Sequence, residues 1–220
     1  LLNTCKTLEK NGFIVTYLRP RENGIIDIND VIRNIRRETI LISVMFANNE
    51  IGTIQPIEEI GKIAKKYHIY FHTDAVQAIG NVRIDVKKMN IDALSMSSHK
   101  FYGPKGVGVA YINENVPFNR IQDGGHQEND KRAGTENVPG IVGTATALEI
   151  ATNDIEQNNY YIKRLRDYFI SQLKTKIPNI RINGDMIKRL PGNANISFYG
   201  IDGKGLVEEL DKVGICASSG

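Results

Sequence analysis

Lys100 stands directly after an apolar run, within Ser97-Ser98-His99-Lys100. An amine at the mouth of a buried strand is partly desolvated, which lowers its pKa and makes it a nucleophile able to form a Schiff base. The plainer alternative is a solvated loop lysine. Asp74 closes a second apolar run, Ile69-Tyr70-Phe71-His72-Thr73, with Gln77 three residues further on. A carboxylate in that place can keep a pyridinium nitrogen protonated, so that the ring withdraws electrons; it can equally cap a following helix. A third polar cluster, Asn48-Asn49-Glu50, follows a third run. Ligands of open parallel sheets sit beyond the carboxyl ends of the strands, so the coincidence of three such clusters says more than any one of them.

The strands and helices behind these clusters are legible as periodicity. Thr39 to Phe46 is a short continuous apolar stretch, the pattern of a strand buried on both faces. Pro56 stands at a helix start; Ile57, Ile60, Ile63, Ala64 and Tyr67 recur at helical spacing, with Glu58 and Glu59 in the first turn and Lys65 and Lys66 in the last. Strands are expected at 69–73 and 91–97 with a short helix between them, and another at 106–112 after the breaker-rich Tyr102-Gly103-Pro104-Lys105-Gly106. Strands alternating with helices predict a parallel α/β sheet. From Val138 to Lys176 the apolar residues keep helical spacing, with a break expected between Ala151 and Asn158. Beyond lie expected strands at 180–182 and 194–198, a helix around 206–210, and a last strand beginning Ile215-Cys216-Ala217.

Composition narrows the class. The 220 residues carry 28 basic and 25 acidic side chains, a net charge of +3, with the signs interspersed as on solvated helix faces. That pattern argues against direct nucleic-acid binding. No apolar run approaches the roughly 20 residues of a membrane-spanning helix. Two cysteines make no disulfide framework, which points to a thiol-reducing, cytoplasmic setting. His68, His72 and Asp74 could be read as metal ligands, but His68 precedes the strand that carries the other two, so no metal is expected.

Three segments, His72-Thr73-Asp74-Ala75-Val76-Gln77, Ser97-Ser98-His99-Lys100-Phe101-Tyr102-Gly103-Pro104-Lys105-Gly106 and Arg132-Ala133-Gly134-Thr135-Glu136-Asn137, resemble the pyridoxal-phosphate cysteine desulfurases of the NifS/IscS type. The loop Asn48-Asn49-Glu50-Ile51-Gly52 belongs to the same pattern. The resemblance implies a fold type I α/β transferase, a mostly parallel sheet flanked by helices. Residues 1–151 would form the large cofactor domain and residues 152–220 part of a smaller α+β C-terminal domain.

By the same resemblance, Lys100 holds pyridoxal 5'-phosphate and shuttles protons, Asp74 meets the pyridine nitrogen, and Gln77 the phenolic oxygen. Asn49 lies near the ring edge and the substrate carboxylate, Ser97 and His99 contact the phosphate, and Thr135 reaches the phosphate of the other subunit of a homodimer. The implied reaction takes sulfur from L-cysteine, leaving alanine and an enzyme persulfide for a sulfur-acceptor scaffold of iron-sulfur assembly or a tRNA-thiolation protein. Another pyridoxal-phosphate lyase or aminotransferase would use the same Lys100 and Asp74; the alternative from a different class is an inactive binding or scaffold module without a nucleophilic cysteine.

The family's nucleophilic cysteine follows a Ser-Ser-Gly-Ser-Ala segment, three positions beyond Ser218-Ser219-Gly220. Cys216 precedes that segment and is expected to be buried and inert, and Cys5 to be structural. With the first phosphate-binding loop and ring-stacking histidine also expected before Leu1, the 220 residues alone should neither hold the cofactor tightly nor release sulfide.

Overall fold

The computed structural model describes residues 1–120 and 122–219; Gly220, which closes the Ser-Ser-Gly ending, lies outside them. After two helices, α1 (Leu2–Lys10) and α2 (Ile28–Asn34), the chain builds one sheet from β1 (Leu41–Met45), β2 (Tyr70–Asp74), β3 (Ala93–Ser97) and β4 (Gly108–Ile112), in that spatial order. β1, β2 and β3 run parallel, whereas β4 returns antiparallel to β3. The mostly parallel sheet expected from the alternation is therefore present, with one reversed margin.

The amphipathic crossover α3 (Ile57–Lys66) links β1 to β2. Its Ile57, Ile60 and Ala64 pack with Val31 of α2 and with Phe71 and Leu94 of the sheet, all at most 3% exposed. Burying each large side chain of this kind contributes about 1.5–3 kcal/mol. Gly61 lies on the same face because α3 passes so close to the β2–β3 connection that a Cβ there would sit 1.9 Å from the Met89 carbonyl oxygen. Pro56 occupies the N-cap rather than the first helical turn.

Three local expectations are corrected. β1 is not buried on both faces: Ile42 and Val44 pack against the core, but Leu41, on the opposite face, is 51% exposed. A continuous apolar run does not distinguish a central strand from one whose second face is open. No helix forms between β2 and β3; the chain instead takes successive turns, which Gly80 and Asn90 interrupt with left-handed φ of 77° and 51°. Finally, Ile215 to Ala217 forms no strand. Gly214 (φ 78°) turns the chain out of α7 (Gly203–Lys212), and Cys216 is exposed, not buried.

The long helical stretch breaks at Asp154 (φ −108°, ψ 24°) into α5 (Val138–Asn153) and α6 (Ile155–Lys176). A short irregular helix, α4 (Gln127–Asp130), precedes them, and β5 (Ile180–Ile182) and β6 (Ile196–Phe198) follow as an antiparallel pair. Among the described residues no helix is long and apolar enough to cross a membrane.

Candidate active site

The parallel register carries the three polar clusters to one edge of the sheet. Met45 of β1 is level with Asp74 of β2, and Asp74 is level with Ser95 of β3. The chain therefore emerges from β1 at Asn48-Asn49, from β2 at Asp74 and from β3 at Ser97 to Lys100 on the same side.

Lys100 lies in a single 3-10 turn, Ser98–Phe101. Ser98 and Phe101 point inward, at most 2% exposed, so the two residues between them, His99 and Lys100, are turned out to solvent. The turn is fixed from behind. A hydrogen bond of 2.9 Å joins Thr144 Oγ1 of α5 to Ser98 Oγ, and a Cβ at Gly103 would lie 2.1 Å from that Ser98 oxygen. Tyr102 closes the turn in the left-handed region at φ 66° and is 98% exposed. Among the described residues Lys100 has no hydrogen-bond or ion-pair partner, which leaves its amine available to a ligand. Ser97 Oγ lies 3.2 Å from His99 Nδ1, so these two groups form one polar pair beside Lys100.

Asp74 is partly buried, and its Oδ1 accepts a hydrogen bond from the Val76 amide at 3.0 Å. The alternative of a helix cap is replaced by a cap on a turn, which leaves Oδ2 without a hydrogen-bond partner among the described residues. Gln77 follows on that turn, with its backbone carbonyl bonded by Asn81 at 3.2 Å. Asn49 is exposed at the tip of a loop that Asn48 shapes by accepting from the amides of Glu50 and Ile51, both at 2.9 Å. Thr135 is exposed just before α5, whose N-terminus Asn137 caps by accepting from the Gly140 amide at 3.2 Å. No described hydrogen bond joins Thr135 to the other six candidates.

An amine, a carboxylate oxygen, an amide and a hydroxyl-imidazole pair form a donor set suited to a phosphorylated pyridine aldehyde. The amine offers covalent attachment, the carboxylate a partner for a protonated ring nitrogen, and the Ser97-His99 pair hydrogen bonds for a phosphate.

His72, two residues before Asp74 on β2, reaches across to both neighbouring strands. Its Nδ1 lies 2.8 Å from Ser43 Oγ of β1 and its Nε2 3.5 Å from Ser95 Oγ of β3. Burial pushes its pKa below the ordinary 6.5, with the Asp74 charge opposing. The unfolded chain thus binds the proton more readily, so stability is full above about pH 6.5 and falls as the pH drops from there towards the folded-state pKa. The thermal midpoint should accordingly fall between pH 7.5 and 5.5, and fall less in His72→Gln, which retains a hydrogen-bonding amide for Ser43. Parallel pH profiles for the two proteins would remove His72 as the source.

Two other clusters went unmarked in the sequence. The Ser98–Thr144 pair joins residues 46 positions apart, and the segment 183–195 packs against the Asn49 loop from across the chain. The one local sign of the latter is Pro191-Gly192, a turn signal that says nothing of what the turn touches.

The family model described as Aminotransferase class-V matches residues 1–220. A cysteine desulfurase IscS of Clostridium botulinum is 54% identical over 222 residues, covering 100% of this chain and 56% of that protein. A cysteine desulfurase IscS of Methanosarcina thermophila is 54% identical over 220 residues, with 100% and 54% covered. Among solved structures, a NifS-like protein superposes with a TM-score of 0.95 at 38% identity, covering 100% of this chain and 60% of that one. DndA from Streptomyces lividans gives 0.86 at 32% identity, over 96% and 60% of the two chains. The chain spans little more than half the length of the curated relatives it matches.

Proposed function

The chain belongs to the aminotransferase class-V family, and from that premise we propose that it is the cofactor-binding part of a pyridoxal-phosphate cysteine desulfurase. The observation that carries this reading is the convergence of Asn49, Asp74 and Lys100 at the carboxyl ends of three parallel strands. The identity of 54% to cysteine desulfurases over the whole chain supports it.

When bound, pyridoxal phosphate supplies an electron sink for the pair released on deprotonating the α-carbon of L-cysteine. The chain's own groups do the rest. The Lys100 amine attaches the cofactor and then moves the proton at the α-carbon, while the Asp74 carboxylate holds the proton on the ring nitrogen. Gln77 donates to the phenolic oxygen, and Ser97 and His99 bind the phosphate. Asn49 orients the ring edge and the substrate carboxylate. The sulfur-accepting thiol is assigned to neither Cys5 nor Cys216 but to a cysteine outside these residues.

We place the division between the large and small domains after residue 151, two residues short of the end of α5. The protein is read as a cytoplasmic homodimer in which Thr135 reaches the partner's cofactor phosphate. The exposed apolar side chains of Val138, Ile141 and Val142, which follow Thr135 on α5, support that pairing. The sulfur acceptor is a scaffold of iron-sulfur assembly or a tRNA-thiolation protein.

The test is turnover of L-cysteine by the full-length protein with the cofactor and a thiol reductant. Sulfide and alanine should appear in equal amounts. Formation of a keto acid in place of alanine would reassign the protein to amino transfer, and no turnover would leave a binding module.

A further inference from the structure

The loop that presents Asn49 is held from outside the sheet. The Gly52 carbonyl accepts from the Leu190 amide and the Lys188 carbonyl from the Ile54 amide, both at 2.8 Å, and Thr53 pairs with Arg189 as an isolated antiparallel bridge. The residue that follows Asn49 is gripped directly: Asn193 Nδ2 donates to the Glu50 carbonyl oxygen at 2.7 Å, and the Asn195 side-chain amide reaches the same oxygen at 3.3 Å. The approach is tight: a Cβ on Gly52 (φ 73°) would fall 2.5 Å from the Asn193 side chain.

Arg189 decides which way the Asn193 amide faces. The arginine is 5% exposed, and its guanidinium donates through Nη1 to the backbone oxygen and Oδ1 of Asn193 at 3.3 and 3.5 Å, through Nε to the Asp185 carbonyl at 2.8 Å, and through Nη2 to the Asn183 carbonyl. Arginine only donates, so the amide oxygen must turn towards it and the NH2 group towards Glu50. Arg189 is itself placed by a braced hairpin: Asp185 accepts from the amides of Ile187 and Lys188 at 2.8 and 2.7 Å and from Asn23 at 2.9 Å.

We propose that Asn193, oriented by Arg189, is a positioning residue that fixes the conformation of the Asn48–Gly52 loop and thereby the placement of Asn49. Its consequence for turnover rests on the reading that Asn49 serves cofactor and substrate; its consequence for the loop does not.

Asn193→Asp separates the two contacts. It keeps an oxygen for Arg189, at nearly unchanged volume, but turns a second oxygen, rather than a donor, towards the Glu50 carbonyl. In the full-length protein, hydrogen exchange at the amides of Glu50, Ile51 and Gly52 should accelerate by about ten-fold or more, while exchange in β2 and the thermal midpoint stay near wild type. The KM for L-cysteine should rise several-fold with a smaller change in kcat. Asn193→Ala should give the same loop acceleration. Unchanged exchange at those three amides in both variants overturns the positioning role. Accelerated exchange with an unchanged KM upholds it and removes Asn49 from substrate binding instead.

Discussion

Lys100→Ala in the full-length protein should lower desulfurase turnover by on the order of 10³-fold and abolish the visible absorption band of the lysine-attached cofactor. General acid-base catalysis by one side chain contributes roughly 10²–10⁴-fold, and Lys100 is asked to supply both the attachment and the proton transfer. The structure makes the substitution a clean one. Lys100 is exposed, without partners among the described residues, on a turn held by Ser98 and Phe101. Removing a side chain so placed changes stability by no more than about 0.5 kcal/mol, so an inactive variant is still a folded one. Lys100→Arg should be equally inactive, because arginine keeps the positive charge but neither attaches the cofactor nor gives up its proton. A variant that retains the band, or an arginine that restores turnover, would overturn the assignment.

Asp74→Asn should reduce kcat by roughly ten- to hundred-fold and leave the KM for L-cysteine within about two-fold. A hydrogen bond to a charged group is worth about 1.5–3 kcal/mol, and each 1.4 kcal/mol withdrawn from the transition state alone is close to ten-fold in rate. Asparagine is the informative replacement. Its Oδ1 can still accept from the Val76 amide, the one side-chain hydrogen bond Asp74 makes among the described residues, so the turn is kept and only the negative charge is lost. Cofactor content, read from absorbance, should be maintained. Unchanged kcat would mean that the ring nitrogen has no need of Asp74.

Much of this site is written in short-range pattern. Asp74 and Lys100 can be found because each is a polar residue closing an apolar run; helix α3 signals the parallel pairing of β1 and β2 that brings the Asn49 loop to Asp74, whereas the β2–β3 crossover that brings Lys100 there is made of turns. The break at Asp154 is foreshadowed by the Asn and Asp residues around it. What pattern does not carry is the second side of each element. The run from Thr39 to Phe46 is apolar throughout, yet Leu41 faces outward and Ile42 inward, because burial is set by what packs on the strand rather than by the strand itself. Cys216 misled for the same reason: an apolar neighbourhood in sequence became an exposed segment once Gly214 turned it away from α7. The strands that flank segment 183–195 are legible in the sequence, but the segment's grip on the Asn49 loop depends on contacts no local spacing encodes.

That grip also orders events in time. Asn193 lies 143 residues after the carbonyl it binds. A ribosome adding roughly 5–20 residues per second needs on the order of ten seconds to cover that distance. During that interval the strands carrying Asp74 and Lys100 can already pair, while the loop bearing Asn49 waits for a brace not yet synthesised. A newborn chain can therefore pass through a stage in which the sheet is formed and the Asn49 loop is still loose, and the 183–195 segment acts as a late rivet.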